Sequence, residues 1–235
     1  MRARALVLVG RGRYQDRWHD DAATGCALAG VLRGVGVRAQ VRGTAPTALD
    51  DGDEFSLLVV VAGTGRPDPD RDGDDTAWRP FHDRLGELVS GGGLALLAVH
   101  QAANTFTDAP GWASLIGGRW VPGVSTHPPI GVARFRPAPG QDHPVTAGLP
   151  GVEAFDERYC RLRPDPASTV LLSTEHDGDL HPVVWQAAGP GRVVYDGLGH
   201  DVRSYASASR RELLRREVTW LLGGPWPHRS GQPRA

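Results

Sequence analysis

The chain contains no lysine; all 26 of its basic residues are arginine. Chemistry that needs a primary amine is thereby excluded: Schiff bases, a pyridoxal-phosphate lysine, the P-loop lysine and the kinase lysine. Cysteine is scarce as well. Cys26 and Cys160 stand alone without metal-type spacing, which predicts reduced thiols and a cytoplasmic protein. Cys26, within a helical pattern of Ala and Leu, is expected to be a buried small apolar group, and Cys160 to be partly accessible. Neither sign of charge is in excess. The formal net charge of −1 gives no electrostatic footprint for nucleic acid. No apolar run approaches the roughly 20 residues of a membrane span. The opening "MRARALVLVG" reads as a first strand and not as a signal peptide.

What is present is a chain of 235 residues, enough for one large α/β domain with a full core. Apolar runs at 5–10, 37–41, 55–63 and 94–99 read as strands, the third and fourth buried on both faces. Helical spacing is found at 20–36 and 78–93, each closed by glycines. Strands interleaved with helices predict a doubly wound, mostly parallel sheet flanked by helices. Beyond residue 117 the pattern loosens. Strands are expected at 130–136, 152–156, 169–174, 182–187 and 192–197. A last helix over 209–224 turns Leu213, Leu214, Val218, Leu221 and Leu222 inward, and a Pro-rich tail at 225–235 is expected to be disordered.

In open parallel sheets, ligands bind beyond the carboxyl ends of the strands. His100 stands at such an end, in "LALLAVHQAANTF" (94–106). Other polar groups reach the same rim by position: His19 and Asp20 after the first strand, His127 in "GVSTHPP", Asp156, Glu157 and Tyr159 in "FDERYCRL", and His200 and Asp201 in "YDGLGHDVRSY". Imidazoles beside carboxylates suit proton transfer or metal binding. A single strand-end histidine is ordinarily a hydrogen-bonded structural group, so convergence of several carries the argument. His82 and His176 read as surface positions, and His143 as fixing a turn before Pro144. "DPDRDGDD" (68–75) starts like a calcium loop but has Arg79 where the bidentate Glu belongs, and reads as a solvated acidic loop. "GRGR" (10–13) lacks the third glycine of a dinucleotide fingerprint, and no nucleotide cofactor is evident.

"GGGLALLAVHQAANTF", "DHPVTAGLP", "FDERYCRL" and "GRVVYDGLGHDVRSY" followed by "LLRREVTWLLG" together resemble the trehalose-utilisation (ThuA-like) family, in order and spacing, up to about residue 224. The resemblance implies a class I glutamine amidotransferase-like, flavodoxin-like α/β domain over 1–224. In that wider fold a nucleophilic Cys occupies the elbow after the central strand. Here the matching position is His100, and neither cysteine lies on the elbow, so glutaminase chemistry is not expected. Family members often have "DEWY" where this chain has "DERY", so Arg158 replaces an aromatic that could stack on a sugar.

The resulting expectation is a cytoplasmic enzyme acting on a disaccharide, glycoside or keto-sugar. His100, Glu157 and His200 would move protons, with Asp201 orienting His200. His19, Asn104, His127 and Tyr159 would bind sugar hydroxyls or complete a metal site. Three imidazoles and a carboxylate suit a divalent ion such as Zn²⁺, although no H-x-x-x-H pair is present. The expected partner is a small-molecule carbohydrate, with no nucleic acid and no membrane; a homodimer is compatible with the sequence. The rival readings are a non-catalytic sugar-binding or regulatory module and an amidohydrolase-like activity inherited from the fold.

Overall fold

Aliphatic runs form three neighbouring strands of one sheet, β1 (Arg4–Val9), β3 (Leu57–Val61) and β4 (Ala95–Val99), and the more polar β2 (Arg38–Gly43) forms its edge beside β1; β3 and β4 are buried at every position. Helices α1 (Asp21–Gly34) and α2 (Asp75–Ser90) connect them, each started by an aspartate side chain that accepts a backbone N–H of the first turn: Asp20 from Ala23 and Asp74 from Ala77. The second half contains α3 (Trp112–Leu115), β5 (Gly118–Arg119), β6 (Gly131–Pro137), β7 (Val152–Asp156), β8 (Arg163–Pro164), β9 (Thr169–His176), β10 (Asp179–Gln186), β11 (Val193–Asp196) and α4 (Ala208–Leu221). The computed structural model describes residues 2–68, 70 and 72–224. The tail at 225–235, expected to be disordered, lies outside the described residues.

The nine-stranded sheet has the order β2-β1-β3-β4-β11-β10-β9-β6-β7. The strands from β2 to β11 are parallel, and β10, β9, β6 and β7 continue the sheet by antiparallel pairing. Alternating direction brings β9 and β7 back into line with β4 and β11. The end of β7 therefore faces the same rim as the ends of the parallel strands. The antiparallel half also bends round, because the Asp156 carboxylate at the end of β7 accepts the backbone N–H groups of Gly199 and His200 beyond β11. This is the helix-flanked sheet that the alternation of strands and helices predicts, in the flavodoxin-like form that the family resemblance implies.

Helix α4 packs Leu213, Leu214, Val218 and Leu221 into the core, as its spacing requires, with Leu222 partly buried. It also carries charge inward. Arg210 pairs with Asp196 at 2.6 Å, both fully buried, and Glu217 on the same helix is fully buried beside them.

Several local expectations are corrected. Cys26 is exposed and Cys160 is buried. Helix α1 approaches the sheet through Gly25, where a Cβ would come 2.3 Å from a Val9 methyl, so the next residue faces outward. His82 is not a surface group: its Nε2 lies 3.1 Å from the Tyr14 hydroxyl, which donates to Asp108. The acidic loop is only partly solvated, since Asp72 is buried and accepts the backbone N–H groups of Arg13 and Asp68. His143 does fix its turn, accepting the Val145 N–H at Nδ1.

Candidate functional site

The elbow after β4 is tight. His100 adopts φ +50°, a left-handed conformation that costs a non-glycine residue about 1 kcal/mol or more. The surroundings hold it there. Its carbonyl accepts the Tyr195 hydroxyl at 2.8 Å, and its Nδ1 lies 2.9 Å from the Gly197 carbonyl. A carbonyl only accepts, so Nδ1 carries the proton and Nε2 is left as the free lone pair. Nε2 points at the Tyr159 hydroxyl at 2.9 Å and at Glu157 Oε2 at 3.5 Å.

Glu157 follows β7 and is buried. Its Oε2 also lies 3.5 Å from His200 Nδ1, and its Oε1 lies 3.4 Å from His127 Nδ1. Three imidazoles thus face one carboxylate. Burial alone would raise the Glu157 carboxyl, but His100 and His200 outweigh it and hold it well below the usual carboxylate range. Burial would lower His200, yet Glu157 wins and raises it. Burial raises Tyr159 well above its ordinary value, so the phenol stays protonated.

His19 comes from the loop after β1. Asp16 accepts the backbone N–H groups of Trp18 and His19 and takes the His19 imidazole at Nδ1, 2.9 Å from Oδ1. The ring is aimed by that turn toward His200 and His100, with centroids 4.3 and 5.2 Å away. Burial lowers His19 despite Asp16. Burial opposes ionisation of Asp16, but His19 and Gln101 hold its carboxyl down at about 2. The other ring nitrogen of His19, Nε2, is buried without a hydrogen-bond partner among the described residues, as is His200 Nδ1.

These groups meet at a cleft of about 650 Å³. His19, Asn104, His127, Glu157, Tyr159 and His200 line it, and His100 lies just beneath, 2% exposed. Asp201 is the exception among the expected site residues. It does not orient His200; its carboxylate is taken by the Arg203 guanidinium and backbone N–H. Asp156 does that work, accepting the backbone N–H groups of His200, Gly199 and Glu157 and the Ser204 hydroxyl at 2.6 Å.

Sequence reasoning also missed Asp16, Gln101, Thr64, Trp18 and Trp120, all of which line the cleft. Asp16 stands three residues before His19, a spacing that turns an Asx loop back on itself, and this was the available signal. Arg158 points elsewhere, toward the Glu175 carbonyl, and the indoles of Trp18 and Trp120 supply the aromatic surface. Four ligand-type atoms, one each from His19, His100, Glu157 and His200, lie within 4.8 Å of one another.

Comparison with known proteins agrees with this architecture. A family model described as "ThuA: Trehalose utilisation" matches residues 7–221. Among solved structures, a ThuA-like protein of Parabacteroides merdae superposes with a TM-score of 0.77 at 19% identity, covering 97% of this chain and 93% of that one. A ThuA-like protein of Bacteroides uniformis gives 0.71 at 17% identity, covering 93% and 91%. A glutamine amidotransferase of Thermotoga maritima gives 0.55 at 11% identity, covering 94% and 99%, and so shares the fold. No curated protein matches the chain significantly in sequence. No helix among the described residues is long and apolar enough to cross a membrane.

Proposed function

This chain belongs to the trehalose-utilisation (ThuA) family, and on that premise we propose that it is an enzyme acting on a disaccharide, glycoside or keto-sugar through a His–Glu proton-transfer centre. The observation that carries this is the buried Glu157 carboxylate with imidazole nitrogens of His100, His127 and His200 at 3.4–3.5 Å, at the floor of a cleft. Neighbouring groups whose proton affinities are pushed apart make an acid and a base of one site. Glu157 is held ionised and His200 is held toward its protonated form, so the pair offers a base and an acid side by side.

The cleft has the size of a small-ligand site. Trp18 and Trp120 offer flat faces on which sugar rings stack, while Asn104, His127 and Tyr159 offer hydrogen bonds to hydroxyls. Thiol chemistry of the amidotransferase kind has no support: the elbow carries His100, and neither cysteine lines the cleft.

The test is a panel of disaccharides, glucosides and their keto forms, assayed with the wild type and His100→Ala. Expected is turnover that His100→Ala lowers by about two to four powers of ten. Turnover that survives intact in both His100→Ala and Glu157→Ala would overturn the mechanism. Ligands that raise the melting temperature without any turnover would make the chain a sugar-binding module instead.

A further inference from the structure

We propose that His19, His100, Glu157 and His200 bind one divalent transition-metal ion, with zinc as the reference case. The inference rests on the proposed function only for what the ion is for; binding itself is independent of it.

The donor set is the first argument. Three imidazoles and one carboxylate form a familiar zinc shell, in which donor atoms stand about 3.4 Å apart when the bonds are about 2.0–2.1 Å. Two of the edges here already measure 3.5 Å, His100 Nε2 and His200 Nδ1 each to Glu157 Oε2. All four atoms lie within 4.8 Å, so small ring rotations suffice to close the remaining edges.

The second argument is the outer shell. A metal-bound histidine usually donates its other ring N–H to a carboxylate or a carbonyl, which fixes the tautomer. His19 does so to Asp16 and His100 to the Gly197 carbonyl, leaving both Nε2 atoms as lone pairs directed inward. Asp156 fixes the backbone of His200 and of Glu157.

The third argument is what is left unsatisfied. His19 Nε2 and His200 Nδ1 are buried and have no hydrogen-bond partner among the described residues. Buried polar atoms without partners are costly and rare, and an ion at this point satisfies both. His100 Nε2, now 2.9 Å from the Tyr159 hydroxyl, would turn its lone pair to the ion instead, which would free the phenol to hydrogen-bond elsewhere in the site. The cation also answers the buried negative charge of Glu157. When bound, such an ion would supply a water of near-neutral pKa as a base, in place of the four side chains that hold it. His127, which faces Glu157 but is not a ligand, remains for proton transfer.

The experiment uses the untagged full-length chain, freed of metal by chelator dialysis. It is titrated with Zn²⁺ by calorimetry and with Co²⁺ by visible absorption. Expected are one ion per chain and the strong Co²⁺ bands of a four- or five-coordinate nitrogen–oxygen site. His19→Ala and His200→Ala should bind about a hundredfold more weakly or worse, and Asp16→Asn about 10–100-fold more weakly. Thermal unfolding without metal shows which variants fold, and Asp16→Asn, which leaves all ligands in place, decides the matter if a histidine variant does not. No stoichiometric ion, or an ion bound equally well by the folded variants, overturns the proposal. An ion that binds in a chain without sugar turnover removes the proposed activity and leaves the metal site. Turnover in a chain that binds no ion does the reverse.

Discussion

The ring of His100 lies stacked on that of Tyr159, centroids 4.3 Å apart and planes 24° apart, while the phenol oxygen stands 2.9 Å from Nε2. One tyrosine therefore holds the imidazole both by its face and by its acceptor nitrogen. Together with the Gly197 carbonyl this locks a side chain whose backbone is in a left-handed conformation.

Tyr159→Phe separates the two contacts. It keeps the stacking and deletes the hydrogen bond, so a stability loss of about 1 kcal/mol is expected. Urea unfolding should show a lower midpoint with an unchanged slope. An unmoved midpoint would mean that the hydroxyl does not hold the ring.

Asp156 is the hub behind the site, receiving three backbone N–H groups and the Ser204 hydroxyl. Asp156→Asn turns an amide NH₂ toward groups that are all donors. The expected cost is about 2–4 kcal/mol. Any turnover should fall further than instability explains, because His200 and Glu157 both lose their backbone anchor. Kinetics at a temperature where the variant is fully folded would separate the two effects.

Gly199 has φ +114°, and a Cβ there would sit 2.3 Å from the buried Tyr205 hydroxyl. Gly199→Ala meets strain and collision together, for an expected loss of about 2–3 kcal/mol. Gly199→Ala in a Tyr205→Phe background should recover part of that loss, which a double-mutant cycle measures.

Glu217 supplies a pH test remote from the cleft. Burial pushes its carboxyl well up, and Asp196 adds to this against the opposing pull of Arg210. A carboxyl raised in the folded state stabilises fully below its unfolded value of about 4.3. That contribution is lost as pH rises through the folded value. Glu217→Gln keeps the shape and removes the titration. The melting temperature of the variant should gain on the wild type as pH rises above about 4.3. Parallel curves from pH 4 to 8 would show that Glu217 is not held protonated.

The parallel half of the fold was legible because β3 and β4 are uniformly aliphatic, and such runs admit few other readings. His100 was legible for the same reason: it is the first polar residue after one of them. Glu157 and His200 come from sequence blocks that follow expected strands, and the curl of the antiparallel half is what brings them together. Asp16 and the anchoring role of Asp156 are not legible, because an aspartate in a loop or at a strand end looks the same whether it caps a turn or anchors a histidine. Asp201 was chosen for its adjacency to His200, but the side chain two residues further on, Arg203, claims it. Cys26 was misread because in "ATGCALAG" small residues occur all round the helix, and only the close approach at Gly25 shows which face meets the sheet.

The bent sheet makes the cleft a late product of folding. The hydrogen bond between His100 and Gly197 spans 97 residues of chain, and that between Tyr159 and His100 spans 59. Pairings of that range form slowly, after local helices and turns. A refolding chain should therefore regain its far-ultraviolet signal well before the tyrosine and the imidazoles meet, and the environment of Trp120, whose ring lies 4.9 Å from that of Tyr159, should report the slower event by fluorescence.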